Sequence, residues 1–177
     1  SSQFSLEEIK AAVEEAENAN LYVLAHAYLP KSISRALNCG VRSIEHGTLM
    51  DEETIELMKN RGTYYVPTIS AGEFVADKAL IDGYYPEVVR PKAKKIGPKI
   101  KETFKKVYDA GVPIAFGTDS GVSYHGKNAR EFTYMVEAGM LPMEAIQSAT
   151  KTASELLEIN EFLGLIKINM LADIIAV

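Results

Sequence analysis

Apolar positions recur along the chain in two alternating patterns, one typical of helices and one typical of strands. The helical pattern combines an apolar face with residues that start or stop a helix, such as the capping box that opens with Ser5 and the helix-ending Gly40 and Gly62. The helices predicted from this pattern lie at about 5–16, 30–39, 51–62, 128–138 and 143–158, with two more between 73 and 110.

Short apolar runs between these helices predict strands. Four of the runs lie at 21–25, 41–45, 63–69 and 112–116. Because helical segments separate them and no two-residue hairpin signal occurs, we expect the strands to be parallel and the fold to be α/β. A further run at 172–177 follows two consecutive helices, so this predicted strand need not belong to the same sheet.

Composition narrows the class of protein. The chain has 177 residues, 47% of them hydrophobic, which is the average of a globular domain and excludes a disordered one. Its 24 acidic residues outnumber its 19 basic ones, which argues against nucleic acid as a partner. No apolar run approaches the ~18 residues of a membrane span and no leader pattern opens the chain, so we expect a cytoplasmic protein without a membrane partner.

Residues that could bind a metal ion lie at the ends of the predicted strands. His26 ends the first strand, His46 ends the second, and the fourth continues into Asp119. In parallel α/β sheets and barrels, ligands bind at the carboxyl ends of the strands. Two imidazoles and a carboxylate there suit a divalent metal such as zinc, although each histidine could instead be a hydrogen-bonded structural residue. Strand alternation places Glu45 on the face opposite His46, which predicts a structural partner beneath the helices.

Four short motifs occur in order along the chain. They are Ala-His-Ala-Tyr at 25–28, Ser-Ile-Glu-His-Gly at 43–47, Phe-Gly-Thr-Asp at 116–119 and Leu-Ala-Asp at 171–173. With these motifs the chain resembles the C-terminal part of a metal-dependent amidohydrolase, in the branch of prolidase-like dipeptidases related to imidazolonepropionase. The resemblance implies that residues 1–168 form the C-terminal half of a (β/α)8 TIM-type barrel, strands five to eight. Residues 169–177 would begin a small β-sandwich.

The resemblance also implies a site. His26 and His46 would be metal ligands, and Asp119 both a ligand and the catalytic proton shuttle. The complete enzyme would hold two divalent ions, most simply zinc, and a metal-bound hydroxide would attack the amide carbonyl while Asp119 moves its proton to the leaving nitrogen. The family's remaining ligands, a His-x-His pair and a bridging carboxylated lysine, are not in these 177 residues, so we expect the chain alone to be inactive.

Four further residues are candidates for substrate binding. Tyr28 could donate to a substrate carbonyl from the mouth of the sheet, or simply be an amphipathic wall residue. His125, Asn128 and Arg130 resemble the family's loop after strand eight, which holds the polar ends of substrates. Arg130 could instead pair with Glu131 or Glu137 on its own helix.

The leading functional hypothesis is hydrolysis of a peptide-like C–N bond, with a dipeptide as substrate. The alternatives are a cyclic-amide hydrolase or deaminase of the same superfamily, and a metal-free α/β binding module. A half barrel would also leave residues 21–26 and 112–117 with open edges. We therefore expect contact along these edges with the N-terminal half of the barrel or with another chain.

Overall fold

A parallel sheet forms the centre of the fold in the computed structural model, which describes residues 3–176. Its three strands are β1 (Leu24–Ala27), β2 (Ser43–His46) and β3 (Tyr64–Val66), paired in parallel in the order β1-β2-β3. The predicted α/β class is confirmed. That this sheet is part of a (β/α)8 barrel stays a prediction.

The predicted fourth strand lies beside β3 but pairs with it only briefly. Tyr65 donates its backbone N–H to the Pro113 carbonyl and accepts at its own carbonyl from the Ala115 N–H, both at 2.9 Å, which makes a single parallel bridge with Ile114. The next amide, of Phe116, donates to the Ser148 carbonyl at 3.0 Å and so is not available to β3. The segment therefore extends the sheet without forming a regular ladder.

The described part of the chain contains nine helices besides the sheet. They are α1 (Leu6–Asn18), α2 (Pro30–Asn38), α3 (Glu52–Arg61), α4 (Ile69–Lys78), α5 (Arg90–Ala93), α6 (Ile96–Asp109), α7 (Arg130–Glu137), α8 (Pro142–Ala149) and α9 (Lys151–Leu156). The predicted capping box at Ser5 is confirmed, and Gly62 ends α3 in the left-handed conformation with φ of 63°.

Several predicted elements differ from the structure. The strand predicted at 63–69 ends at Val66, because Thr68 has a left-handed φ of 50° and α4 begins at the next residue. Residues 73–110 contain the end of α4 and two further helices, where only two helices were predicted. The helix predicted at 143–158 is divided into α8 and α9 at Thr150, whose ψ of −83° lies outside the helical range.

The chain after α9 departs from the prediction as well. Residues 172–176 belong to no helix or strand, and Val177 lies outside the described residues. Ile174 and Ile175 are exposed, so this segment gains no burial that would fix it as a strand. The division into a barrel part, 1–168, and a sandwich part, 169–177, remains a prediction.

The core lies between the sheet and the helices. Its largest fully buried side chains include Ile33, Ile44, Tyr65 and Phe104. The Tyr65 hydroxyl donates to the His46 carbonyl at 2.9 Å, so the core is joined directly to the end of β2. Within residues 3–176, every helix is too short or too polar to cross a bilayer.

Candidate active site

His26 and His46 meet at the carboxyl edge of the sheet. The parallel register sets His26 opposite Glu45 and Ala27 opposite His46. His46 has a left-handed φ of 68°, which departs from strand alternation and lets its ring turn toward β1. As a result, Nε2 of His46 lies 2.7 Å from Nδ1 of His26. The expected convergence of the two histidines is present in the structure.

The residue after His46 makes this turn possible. Gly47 is also left-handed, with φ of 53°, and a Cβ there would lie 2.6 Å from the Met50 side chain and 2.9 Å from the Tyr65 ring. Only glycine combines that backbone conformation with so little space. The His-Gly pair therefore ends β2 with the imidazole aimed across the sheet edge.

The prediction for Glu45 is wrong. It assumed regular alternation, which the positive φ of His46 breaks. Glu45 shares its register position with His26 and so lies on the same face of the sheet, where it accepts a hydrogen bond from the Ser43 hydroxyl at 2.7 Å. Burial raises the pKa of Glu45, and the nearby charge of Asp119 raises it further. Glu45 thus belongs to the electrostatic surroundings of the site.

The buried His46 ring is held in its neutral form. Burial lowers the pKa of His46 to about 4, and the neighbouring His26 lowers it too, against an opposing effect of Asp119. Its other nitrogen, Nδ1, lies 2.6 Å from the Thr68 hydroxyl, which fixes the ring orientation. A neutral imidazole that one nitrogen orients through a hydrogen bond can bind a metal ion through its other nitrogen, which in His46 faces His26.

Asp119 lies in the same cavity as His46. It follows the segment beside β3, has a left-handed φ of 49°, and helps to line a cavity of about 180 Å³ together with Tyr28, His46, Thr48 and Thr68. Its charge acts on the pKa values of Tyr28, Glu45 and His46. His46 therefore connects the other two predicted site residues, because its ring contacts His26 and it lines the same cavity as Asp119.

These residues fit part of a metal centre. The two facing imidazole nitrogens and the nearby carboxylate are donors that zinc prefers. Within residues 3–176, however, no three His, Cys, Asp or Glu side chains are grouped closely enough to hold one ion. A catalytic zinc site usually takes three protein ligands, so these donors make an incomplete site.

Tyr28 packs directly on the histidine pair. Its ring stacks on His46, with centroids 5.1 Å apart and planes 6° apart, and meets the His26 ring edge-on at 4.9 Å. Burial raises the pKa of Tyr28 and the charge of Asp119 raises it further, so the hydroxyl stays protonated at neutral pH. A protonated phenol in this position can donate a hydrogen bond to a ligand in the cavity.

The three loop residues predicted to bind substrate differ in their surroundings. Asn128 donates to the hydroxyls of Ser120 at 2.8 Å and Thr118 at 3.3 Å, and so braces the loop that carries Asp119. His125 and Arg130 are exposed on the surface. Their roles in substrate binding stay predictions.

The alternative partners considered for Arg130 are engaged elsewhere. Glu137 forms an ion pair with Lys101 at 3.0 Å. Glu131 is fully buried and accepts hydrogen bonds from the backbone N–H groups of Ile69 and Ser70, at 2.8 and 2.7 Å, and from the Ser70 hydroxyl. The predicted pairing of Arg130 with either carboxylate is therefore wrong.

Sequence reasoning missed the supporting polar residues Glu131, Thr68 and Thr48. Glu131 closes the N-terminus of α4, directly after Thr68, and thereby fixes the turn that presents Thr68 to His46. The sequence gives only a weak indication of its burial: Glu131 precedes the buried Met135 by four residues, which places both on the same face of α7. Nothing in the sequence marks Thr48 or Thr68.

Comparison with known proteins identifies the family. The model of the amidohydrolase family matches residues 1–177. The chain belongs to the amidohydrolase family. This confirms the resemblance drawn from the strand-end motifs, and the similar solved structures of this amidohydrolase chain include prolidases, as the resemblance to the prolidase-like branch implies.

Individual relatives are similar over most of this amidohydrolase chain. A crystal structure of a Xaa-Pro dipeptidase with bound methionine in the active site superposes with a TM-score of 0.93 at 55% identity, over 96% of this chain and 42% of that one. A prolidase complexed with N-methylphosphonate-L-proline gives a TM-score of 0.86 at 38% identity, over 97% and 41%. Ochratoxinase of Aspergillus niger is 39% identical over 153 residues, 85% of this chain and 31% of its own length. The chain thus spans less than half the length of each of these relatives.

Proposed function

We propose that the protein containing this chain hydrolyses the amide bond of a small peptide-like substrate, and that a dipeptide is the preferred substrate. The observation that supports this most strongly is the contact between His26 and His46 at the sheet edge, beside a cavity that both His46 and Asp119 line. The chain's 55% identity to a Xaa-Pro dipeptidase favours a dipeptide over other amides.

Each residue would have a separate task. His26 and His46 would hold a divalent cation, most simply zinc, which supplies Lewis acidity to a carbonyl group and lowers the pKa of water. The Asp119 carboxylate would accept a proton at the start of the reaction and deliver it to the leaving nitrogen. The protonated Tyr28 hydroxyl would donate a hydrogen bond to the carbonyl oxygen, where negative charge develops.

The remaining ligands would come from outside these 177 residues. Relatives more than twice as long as this chain are consistent with an N-terminal half of the barrel that supplies them. That half, or a second chain, would contact the open edges of the sheet at β1 and beside residues 112–117. The substrate would enter where those parts meet the cavity lined by His46 and Asp119.

The test is a hydrolysis assay on the full-length protein, with and without zinc. The substrates are Xaa-Pro dipeptides, N-acyl amino acids, a cyclic amide and an aminated heterocycle. We expect zinc-dependent release of free amino acids from the first two groups and no ammonia. Ammonia release alone would indicate a deaminase, and opening of the cyclic amide alone would indicate a cyclic-amide hydrolase. Absence of both turnover and bound metal would indicate a binding module.

A further inference from the structure

Three residues at the site have a backbone conformation that residues other than glycine rarely adopt. His46, Thr68 and Asp119 have left-handed φ angles of 68°, 50° and 49°. The conformation is least favourable for Thr68, because its side chain is branched at Cβ. Residues keep such a conformation only where the surrounding contacts hold them in it. The contacts around Thr68 and Asp119 therefore determine how the site is arranged.

Glu131 of α7 holds the backbone directly after Thr68. Its carboxylate is fully buried and accepts hydrogen bonds from the backbone N–H groups of Ile69 and Ser70, at 2.8 and 2.7 Å. The hydroxyl of Thr68 in turn lies 2.6 Å from Nδ1 of His46. The orientation of the His46 ring thus depends on a carboxylate that belongs to another helix.

Ser70 extends the same support to the loop of Asp119. The Ser70 hydroxyl is buried and donates a hydrogen bond to the Glu131 carboxylate. Its oxygen also lies 3.4 Å from the carbonyl oxygen of Thr118, the residue directly before Asp119. Glu131 therefore fixes a hydroxyl that contacts the backbone beside Asp119.

The turn that leads into α7 holds the Asp119 loop from a second direction. Asn128 donates to the hydroxyls of Thr118 and Ser120, at 3.3 and 2.8 Å. These two hydroxyls flank Asp119 in the sequence and lie 3.0 Å from each other. The short segment from Asn128 to Glu131 thus contacts both the loop that carries Asp119 and the start of α4.

We propose that Glu131 and Asn128 are positioning residues for the two sides of the active site. Together they fix Asp119 relative to His46, and so control kcat and metal affinity without contacting the substrate. The inference rests on the proposed amide hydrolysis and adds the residues that hold its reacting groups in place. Small displacements of reacting groups lower a rate strongly, and loss of a residue that orients metal ligands typically costs about 10- to 100-fold in metal affinity or activity.

The first experiment removes the contacts of Glu131 in the full-length, zinc-loaded protein. Glu131→Gln keeps the size of the side chain but replaces one acceptor oxygen by an amide group. Ser70→Ala removes only a hydroxyl and leaves both backbone hydrogen bonds of Glu131 in place, so it decides the question if Glu131→Gln does not fold. Well below the Tm of each variant, we expect kcat per bound zinc to fall by about tenfold or more, with KM within about threefold of wild type.

Two matched variants control for the loss of a polar group in general. Glu137→Gln changes a carboxylate on the same helix that pairs with Lys101, and Ser154→Ala removes a buried hydroxyl of α9 that donates to the Lys151 carbonyl at 2.7 Å. We expect kcat to be unchanged in both, whatever their Tm. A kcat per bound zinc within about threefold of wild type in Ser70→Ala, or an equal fall in the controls, would overturn the proposal.

The second experiment separates positioning from substrate binding at Asn128. Asn128→Ala removes the donor to the two hydroxyls beside Asp119, so we expect kcat to fall by about tenfold with little change in KM. Ser120→Ala removes one of the acceptors and should lower kcat in the same direction. An unchanged kcat in Asn128→Ala, with or without a raised KM, would overturn its proposed role, and a raised KM would indicate that Asn128 binds the substrate.

Zinc affinity distinguishes failure of this inference from failure of the proposed function. It is measured without substrate, by competition between the full-length protein and a chelator. We expect the affinity to fall by about tenfold in Glu131→Gln and Ser70→Ala and to be unchanged in Glu137→Gln, which would support the positioning role even if no dipeptide is cleaved. Dipeptide cleavage with kcat and zinc affinity unaffected by the substitutions of Glu131, Ser70 and Asn128 would overturn the inference and leave the hydrolysis intact.

Discussion

At the scale of single residues, Glu131 is the most unusual polar group in the chain. Its carboxylate is fully buried, yet both oxygens accept hydrogen bonds from the first amides of α4. Burial raises the pKa of Glu131, whereas the hydrogen bonds from Ser70 and Ile69 lower it, and the net shift is upward. Glu131 thus stabilises the start of α4, but burial of its charged form costs free energy. This cost depends on pH, because the carboxylate is charged only above its pKa.

This shift predicts a pH-dependent stability. The folded chain keeps the Glu131 proton above the ordinary pKa of 4.5, so the stabilisation is complete below that value and is lost as the pH rises through the raised folded pKa. Glu131→Gln does not titrate. The stability difference between wild type and variant, measured by urea unfolding, should therefore decrease as the pH is raised from about 4 to 8. A difference that grows with pH would contradict the upward shift.

The strand-end residues could be predicted from the sequence, whereas their supports could not. His26, His46 and Asp119 follow apolar runs, and parallel strands bring such ends together without further information. The left-handed turn at His46, the hydrogen bonds that the α4 amides donate to Glu131 and the burial of Thr48 depend on contacts between segments far apart in the chain. Local sequence patterns do not reveal such contacts. The prediction for Glu45 was wrong for this reason, because it assumed regular alternation at His46.

At the scale of the elements, helix starts differ in how well they are capped. Asp51 accepts from both the backbone N–H and the hydroxyl of Thr54 at the start of α3, at 2.9 and 2.6 Å. Leu141 occupies the same position before α8 and provides no side-chain cap. The start of α3 could be predicted from the sequence because the residues that cap it are close together in the chain. The short pairing of residues 113–115 with β3 could not be predicted, because it ends where the Phe116 amide donates to the Ser148 carbonyl of α8.

The two caps give opposite predictions. Asp51→Ala should lower the free energy of unfolding by about 1 kcal/mol, and Leu141→Ser should raise it by a similar amount, because Leu141 is exposed and already has extended backbone angles. Chemical denaturation of the two variants measures both. Neither substitution touches the cavity, so a change in substrate turnover with either one would show that the site depends on these helices more than the structure indicates.

At the scale of the whole molecule, β1 forms one edge of the sheet, and no other strand among residues 3–176 pairs with its outer side. Leu24, within β1, is 56% exposed, and Leu21 just before it is 65% exposed. Unpaired strand edges beside apolar side chains favour association with another polypeptide. This arrangement agrees with a chain that spans 42% of a similar dipeptidase.

Residues 1–177 in isolation should therefore associate. We expect a species larger than a monomer in analytical ultracentrifugation, and Leu24→Lys should shift it toward monomer. Val88→Lys is the control, since Val88 is also exposed but belongs to the segment between α4 and α5 and to no strand. A monodisperse monomer of the unmodified chain would be evidence against an open edge that requires a partner.

The isolated chain should also lack hydrolase activity. The described residues do not group three metal-ligating side chains, so zinc would be held weakly and its chemistry lost. A dipeptide assay of residues 1–177 with added zinc, beside the full-length protein, measures this directly. Turnover by the chain within about tenfold of the full-length rate would mean that the ligand assignment is wrong.

The most direct test of the proposed active site is the kcat of full-length Asp119→Asn for a dipeptide that the wild type cleaves. The measurement is made at saturating zinc with the metal content of each sample determined, and Asp109→Asn, a change of a surface aspartate paired with Lys105, is the control. We predict that kcat falls by at least about 100-fold in Asp119→Asn, because the residue that moves the proton is lost, and stays unchanged in Asp109→Asn. A kcat of Asp119→Asn within about tenfold of wild type would contradict the assignment of Asp119, and with it the proposed active site.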